Sequence, residues 1–417
     1  MAIGDPRQGR RVGRRFGGLC LLGSLALAGL AGLAAGRPGA LGSAYAAVSV
    51  GLEERFHTRV PAGDLRLALG PRGRDVRVAG EIGEGAAQRL KVLLDANPHV
   101  ARIHLTSDGG LVDEAVGIGA LIADRGLSTY VPDYCVSACT LAFARGRERF
   151  LVTGGRLGFH APYDPGLFGQ VFQADATAER AAYLAAGIEP GFVGQALAVA
   201  SADLWIPDAA RLLQANVVTQ VVDTDRFPDS TLDDDPSPEG ARAAVLRALP
   251  LLEGFATRPN VLARLAGRYR DGYFAGRSEG EALDRLRRDA AREIGRAVAG
   301  ADDATILALG RYLHRAMRAG DTSACLGIGT AGNLLLAQET LNEADEGPAL
   351  LARAAGQGAP VESGPVRAEI QRSDFARDCP GLTEAYAHAL SRPDPAPALR
   401  ALMLRKVRPA DEAFARP

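Results

Sequence analysis

The strongest constraint on the fold is an alternation of β-rich and helical segments between residues 75 and 222. Strand-like and helix-like segments follow one another at 76–79, 86–95, 102–105, 112–124 and 128–131. Because the connections are short and each contains one helix, the strands are expected to be parallel, with right-handed crossovers. The pattern therefore predicts an α/β domain over residues 47–222, with its core at 75–222.

The composition changes after Val222. Residues 223–240 are acidic and rich in proline, which is typical of a linker. Amphipathic helical patterns dominate residues 241–417, where β-branched runs are scarce, so we expect an all-α C-terminal domain of undetermined role. A chain of 417 residues also exceeds what one hydrophobic core usually organises, which favours two domains.

The first 46 residues have the character of an export signal. Five arginines up to Arg15 precede an uncharged stretch from Phe16 to Gly36, as in a charged region followed by an apolar one. Small residues at Ala44 and Ala46 suit a signal peptidase, so we expect cleavage after Ala46 and a mature chain in the bacterial periplasm. The alternative is an uncleaved membrane anchor, because the apolar run is almost long enough to span a bilayer.

Charge and cysteine content limit the classes of partner and site. The formal charge is −1, and removal of a leader with six Arg and one Asp leaves −6, which does not favour a nucleic-acid partner. Four cysteines remain in a compartment where disulfides persist, and we favour the pair Cys325 and Cys379 over two free thiols. For Cys135 and Cys139, a disulfide across the turn and two buried thiols stay open as alternatives. No metal or cofactor site is predicted.

Three short segments carry residue types that catalysis uses. They are the Gly109-Gly110 turn after a predicted strand, Ser137 at the start of a predicted helix, and His160 two residues before Pro162. Each has an ordinary structural interpretation: a plain turn, an N-cap serine and a structural histidine. Their order and spacing together are more specific than any one of them.

In that order the segments resemble the ClpP-like serine peptidase branch of the ClpP/crotonase superfamily, and most of all its exported, poorly characterised bacterial members. In that family a nucleophilic Ser opens a helix, and a His followed closely by Pro comes some two dozen residues later. Here the separation of Ser137 and His160 is 23 residues. The resemblance covers about residues 75–222 and implies a ββα-superhelix core. It also implies a peptide or unfolded-protein substrate and a homo-oligomer.

The resemblance assigns roles to particular residues. Ser137 would attack a carbonyl while His160 takes its proton, giving an acyl-enzyme that water resolves. Backbone N–H groups of Gly109 or Gly110, and of Ala138, would form the oxyanion hole.

The third member of a catalytic triad is the least defined part of the pattern. Asp203 is the nearest carboxylate to the expected place, with Asp208 and Asp164 as weaker substitutes. Alternatively the chain works as a Ser-His dyad, with the histidine oriented by a backbone carbonyl or water. A Ser-Lys mechanism is disfavoured because the only two lysines are Lys91, on an early helix, and Lys406, in the far domain.

Two other functions remain open. A ClpP-like scaffold could bind peptide or protein partners with weak turnover or none, which fits the poorly defined aspartate. Acyl-CoA chemistry of the crotonase kind ranks third, because that branch generally lacks this Ser-His pair and an exported protein meets little CoA. Fold analogy alone does not choose among the three.

Overall fold

The structure is a computed structural model, and it describes residues 45–50, 65–165, 170–357 and 378–404. Apart from its last two residues, the predicted leader lies outside the described residues, as does Lys406. No helix in the described ranges is both long and apolar enough to cross a membrane.

The chain divides into two compact units. Among the described residues, the first unit contains those up to Ala68 and those of Val78–Val221, and the second contains Leu69–Arg77 and those from Val222 onward. This division differs from the boundaries expected from the sequence, since a short early segment belongs to the later unit.

The first unit carries the predicted alternation of strands and helices. Its elements are β1 (Arg66–Leu69), β2 (Asp75–Ala79), α1 (Ala86–Ala96), β3 (Arg102–Thr106), α2 (Val112–Asp124), β4 (Ser128–Val131), β5 (Tyr134–Val136), α3 (Cys139–Ala144), β6 (Arg149–Val152), β7 (Arg156–Gly158), β8 (Tyr163–Pro165), β9 (Val171–Gln173), α4 (Thr177–Ala185), α5 (Pro190–Ala196), α6 (Ala209–Gln214) and β10 (Gln220–Val222). The division between the units falls within β1 and β2.

Six strands form one sheet in the order β1-β2-β3-β4-β6-β10. Strands β3, β4 and β6 pair in parallel, with Ile103 opposite Thr129 and Tyr130 opposite Phe150. Every residue of β4 and β6 is buried, as expected for strands covered on both faces. The α/β class and the parallel central strands are therefore confirmed.

The sequence of helix α2 has the spacing of apolar residues that predicts an amphipathic helix. Its buried residues Ala115, Ile118 and Ile122 recur at intervals of three and four, so one face of the helix is apolar. Asp113 and Glu114 stand in its first turn, where negative charge is favourable. The observed bounds match the predicted ones.

Two smaller sheets complete the first unit. Strands β5 and β7 form a parallel pair, and β8 and β9 form an antiparallel pair. Because parallel strands end at the same edge, the chain leaving β5 and the chain leaving β7 emerge side by side.

From Pro238 onward the described elements of the second unit are helices. They are α7 (Pro238–Ala248), a 3₁₀ helix (Pro250–Phe255), α8 (Pro259–Phe274), α9 (Glu279–Ala299), α10 (Asp303–Ala319), α11 (Thr322–Ala331), α12 (Leu334–Leu341), α13 (Glu346–Gly356), α14 (Cys379–Ser391) and α15 (Ala396–Met403).

Local sequence explains where these helices begin. The side chain of Ser278 accepts a hydrogen bond from the N–H of Glu281 and thereby caps α9, and Asp302 caps α10 in the same way. The buried residues of α9 follow the helical interval and join the core of the unit. Its opposite face is rich in arginine.

Residues 223–240, expected to be a linker, are packed into the second unit instead. Leu232 is 1% exposed and belongs to the hydrophobic core of that unit. Asp233 and the Arg77 side chain are also buried, and Arg77 donates to the side chain of Asp233 at 2.8 Å and to the carbonyl oxygen of Asp229 at 2.6 Å. Acidic composition indicated solvent exposure, but a buried guanidinium compensates part of that charge.

The Arg77 guanidinium therefore bonds to one buried carboxylate, that of Asp233, and to the backbone carbonyl oxygen of Asp229. Burial raises the pKa of Asp233 to about 6, although Arg77 opposes the shift. Burial likewise raises the pKa of Asp229. The hydroxyl of Tyr273 donates a further hydrogen bond to Asp233 at 2.8 Å.

The second unit also contains the favoured disulfide. Cys325 on α11 is bonded to Cys379 at the start of α14, across 54 residues of sequence. This confirms the predicted pairing and ties two helices of the same core together.

Candidate active site

Ser137 lies directly after β5, beside the end of β7. The two strands are in register with Val136 opposite Gly158, and the N–H of Ser137 donates to the carbonyl of Gly158 at 2.8 Å. The backbone of Ser137 has a φ of 54°, in the left-handed region that residues other than glycine seldom adopt. Strained conformations of this kind concentrate at functional sites.

Ser137 does not act as an N-cap for the helix that follows. Helix α3 has no side-chain cap, and the Ser137 hydroxyl makes no hydrogen bond to any residue in the described ranges. Its carbonyl oxygen instead accepts from the Thr140 N–H at 3.0 Å and from the Thr140 hydroxyl at 2.6 Å. The hydroxyl of Ser137 is left free for chemistry, on a turn whose backbone is fixed.

A disulfide encloses this turn. Cys135 and Cys139, two residues before and after Ser137, are bonded to each other, and both are fully buried. The structure therefore selects the disulfide from the two interpretations that the sequence left open. The bond restrains the two ends of the turn that carries the serine.

The Gly109-Gly110 turn packs so closely against Ser137 and Ile82 that side chains would not fit. A Cβ at Gly109 would stand 2.7 Å from the Cβ of Ser137, and one at Gly110 would stand 2.3 Å from the carbonyl oxygen of Ile82. Both glycines also have positive φ, 104° and 135°. Glycine is required here by space and by conformation, beyond ordinary turn chemistry.

The three predicted oxyanion donors are not equivalent. The N–H of Gly109 donates to the hydroxyl of Ser107 at 3.1 Å and is therefore engaged. The N–H groups of Gly110 and Ala138 make no hydrogen bond within the described part of the chain. Ala138 is only 3% exposed, and a buried N–H without a partner is rare enough to need an explanation. An oxyanion formed at Ser137 would supply the missing acceptor.

His160 follows the end of β7 by two residues. Its Nδ1 lies 2.8 Å from the carbonyl oxygen of Ala161. Because a carbonyl only accepts, Nδ1 must carry the proton, which leaves Nε2 of the neutral ring with a lone pair. The N–H of Ala161 in turn donates to Val199 at 2.8 Å, so the carbonyl that orients the histidine is itself held in place.

No carboxylate contacts His160 in the described structure. Asp203 is exposed, and its carboxylate makes no hydrogen bond or ion pair there, so its expected role as third triad member is not supported. Asp208 caps α6 by accepting from the N–H of Arg211, and Asp164 is exposed on β8. Nδ1 of His160 is already hydrogen-bonded to the carbonyl oxygen of Ala161, so it has no proton left to donate to a carboxylate.

The Ser137 hydroxyl and His160 are not hydrogen-bonded to each other within the described residues. Nucleophile and base are often loosely aligned without substrate and tighten when it binds. Lys91 offers no alternative base, because it is exposed on α1 and paired with Asp95 at 2.6 Å.

Helix α4 carries two buried polar residues, Tyr183 and Glu179, that no sequence motif indicates. The hydroxyl of Tyr183 lies 2.6 Å from that of Thr140, which holds the Ser137 carbonyl, and burial raises the pKa of this tyrosine. Glu179 lies one turn earlier on α4 and is 6% exposed. Burial raises its pKa, and the like charges of Asp175, Asp113 and Asp164 add to the effect. Their spacing of four on a helix was the only available signal.

The described residues contain no cluster of three or more His, Cys, Asp or Glu side chains suited to hold a metal ion. The residues that follow β5 and β7 supply a hydroxyl and an imidazole, and Gly110 and Ala138 supply backbone N–H donors. These are the components of acyl transfer through a covalent intermediate.

No family model matches the sequence, and no curated protein matches it. Solved structures with similar regions include a mutant of ClpP1 from Listeria monocytogenes, with 16% identity over 36% of this chain and 92% of that chain, at a TM-score of 0.29. The catalytic domain of the ClpP protease from Plasmodium falciparum shares 16% identity over 38% of this chain and 89% of its own, at 0.29. A mutant of a membrane-bound stomatin-specific protease shares 13% identity over 35% and 77%, at 0.30. Likeness at this level establishes no chemistry.

Proposed function

We propose that the chain is an exported serine peptidase in which Ser137 and His160 act as a dyad. The observation that carries the proposal is the pair of parallel strand ends. β5 delivers a free serine hydroxyl on a strained, disulfide-enclosed turn, and β7 delivers a histidine whose Nδ1 proton is already committed to Ala161. A histidine in this tautomer offers Nε2 as a general base.

The reaction follows from these groups. Nε2 of His160 takes the hydroxyl proton as the Ser137 oxygen attacks the carbonyl carbon of a peptide bond. The oxyanion that forms accepts from the N–H groups of Gly110 and Ala138, and each such donor contributes roughly 3 kcal/mol of transition-state stabilisation. The proton passes to the leaving amine as the C–N bond breaks, and water then releases the acyl group by the reverse sequence.

The proposed substrate is a peptide or an unfolded protein, and no cofactor takes part. The proposed location is the bacterial periplasm, with the mature chain beginning at Ala47. Mass measurement of the protein recovered from the periplasm would show this N-terminus. A retained leader in a membrane fraction would favour the anchored form.

Hydrolysis of fluorescein-labelled, unfolded casein tests the activity. We expect Ser137→Ala and His160→Ala each to lower kcat by roughly 10⁴-fold or more, as removal of members of such units does elsewhere. Ser323→Ala is the matched control, because this serine is exposed on a helix of the second unit, and its activity should equal that of the unaltered protein. Equal loss in all three variants, or none in any, would contradict the proposal.

Asp203→Asn separates a dyad from a triad. Because the Asp203 carboxylate is exposed and unbonded in the described structure, the substitution should change kcat by less than about twofold. In a triad, loss of the aspartate charge costs about 10⁴-fold.

A second candidate function is a scaffold that binds peptides without cleaving them. It is favoured by the lack of a carboxylate on His160 and of a hydrogen bond between His160 and Ser137 among the described residues. Fluorescence anisotropy with a labelled casein peptide would reveal binding. Saturable binding with no product after prolonged incubation would select the scaffold over the peptidase.

A further inference from the structure

The second unit contains a cavity of about 520 Å³ between α8 and α9. Its apolar wall includes Leu265, Tyr269 and Leu286, and its polar wall is dominated by arginine. The volume lies in the range of pockets that hold small organic ligands. Neither Ser137 nor His160 lines this cavity, so the cavity is separate from the proposed peptidase site.

Four arginines line the cavity, two of which share one carboxylate. Asp289 pairs with Arg268 at 3.0 Å and contacts Arg292 as well. The other two, Arg277 and Arg285, have no acidic partner within the described part of the chain. Asp271 is the only further acid in the wall, so the lining carries an excess of two positive charges in a chain whose formal charge is −1.

Helical spacing explains how these charges converge. Arg285, Asp289 and Arg292 recur at intervals of four and three on α9, so they share one face of that helix. Leu286 lies on the neighbouring buried face of α9, at its border with these charged residues. The arginines therefore border an apolar floor, an arrangement that suits a ligand with both an anionic and an apolar part.

Arg277 enters from the connection between α8 and α9, where its backbone is held. Its N–H donates to the carbonyl of Gly272 at 3.2 Å, and its own carbonyl accepts from Asp229 at 2.6 Å. A Cβ at Gly272 would stand 3.6 Å from the Cδ of Arg277, so the arginine stem lies across the glycine. The guanidinium is thus presented to the cavity from a fixed point on the chain.

We propose that this cavity binds a small phosphate monoester with an apolar body. A guanidinium forms paired hydrogen bonds with phosphoryl oxygens, and two uncompensated guanidiniums match the charge of a phosphoryl dianion. The leucines and Tyr269 provide the surface for the organic part. Inorganic phosphate fills only the charged portion and binds more weakly than the ester.

Titration calorimetry with phenyl phosphate on the full mature chain tests the site. The double variant Arg277→Gln/Arg285→Gln should weaken binding about 100-fold, since each lost charge-assisted contact is worth roughly tenfold. Arg288→Gln is the matched control, because Arg288 is exposed on the same helix but does not line the cavity, and it should bind like the unaltered protein. Circular dichroism confirms that each variant is folded.

Asp289→Asn gives a test of opposite sign. Removal of this carboxylate frees Arg268 and Arg292 and raises the positive charge of the lining, so phenyl phosphate should bind more tightly, by about tenfold, and more weakly as salt is added. Absence of saturable binding, or equal loss in the Arg288→Gln control, would overturn the proposal. Equally tight binding of succinate would overturn the assignment to phosphoryl groups.

Discussion

The two disulfides close loops of very different length. Cys135 and Cys139 are four residues apart around Ser137, whereas Cys325 and Cys379 are 54 residues apart in the helical core. Loop-closure entropy gives the long loop about 4 kcal/mol of stabilisation and the short one about 2 kcal/mol. The longer bond chiefly stabilises the second unit, and the shorter bond chiefly shapes a turn.

The same contrast holds for the surroundings of the two bonds. Around Ser137, conformation is controlled by a positive φ, by glycines that admit no Cβ, and by hydrogen bonds from Thr140. In the second unit, stability rests on an apolar core, and the buried charges around Arg77 make that stability depend on pH. Changes in the first unit should therefore alter the rate of reaction at Ser137, and changes in the second should alter stability.

The largest expected effect on stability is loss of the long-loop disulfide. Cys325→Ala/Cys379→Ala should lower the free energy of unfolding by about 4 kcal/mol, because the unfolded chain regains loop freedom. Urea unfolding followed by far-ultraviolet circular dichroism measures it. The rate at which the folded variant reacts with a fluorophosphonate should not change. A fluorophosphonate rate that falls together with the unfolding free energy would contradict this difference between the two units.

Asp233→Asn should remove a pH dependence of the unfolding free energy that is nearly as large as the contribution of the long-loop disulfide. The pKa of Asp233 is about 6 in the folded chain and near 3.8 without its surroundings, so the folded state holds this proton more tightly. Its contribution to the unfolding free energy is therefore most favourable below about pH 4 and declines as pH rises to about 6, by about 3 kcal/mol. The difference between variant and unaltered protein, measured from pH 4 to 7, should show this decline. A difference that rises with pH would contradict this prediction.

How far the sequence could predict these features depends on the range of the interactions. Periodicity within ten or so residues located α2 and β4, because burial of one face is a local pattern. The order and spacing of the catalytic motifs identified Ser137 and His160 as candidates. Neither signal depends on contacts made across the fold.

Features set by distant residues could not be predicted. Arg77 meets Asp233 across 156 residues, a contact that the local sequence does not indicate, so the acidic, proline-rich composition of residues 223–240 predicts a linker. The resemblance likewise indicates Asp203 as the carboxylate nearest the third triad position, whereas Nδ1 of His160 lies at the carbonyl oxygen of Ala161. The left-handed conformation of Ser137 has no sequence signal, because serine normally avoids it.

Gly109→Ala should affect both stability and rate. The new Cβ would stand 2.7 Å from the Cβ of Ser137 and would require an alanine at a φ of 104°, costing about 2 to 3 kcal/mol and displacing the nucleophile. Gly126→Ala is the control, since its φ is also positive, at 60°, but a Cβ there meets nothing within 4 Å. It should cost about 1 kcal/mol and leave the fluorophosphonate rate unchanged. Equal rates in both variants would show that the glycine turn does not position Ser137.

Loss of the short-loop disulfide should cost the least stability but should still slow the reaction. Cys135→Ala/Cys139→Ala should lower the unfolding free energy by about 2 kcal/mol. Because small displacements of a nucleophile are costly, the fluorophosphonate rate should fall at least about tenfold. Trp205, the only tryptophan, packs on Phe192 with ring centroids 4.8 Å apart, so its fluorescence reports the folding of the first unit. An unchanged rate would mean that the bond serves stability alone.

In the proposed mechanism Ser137 is an activated nucleophile with His160 as its base. Peptide mapping by mass spectrometry after fluorophosphonate treatment tests it most directly. We expect one adduct per chain, located on Ser137, absent from Ser137→Ala and strongly reduced in His160→Ala. An adduct at another residue, or one that survives Ser137→Ala, would contradict it.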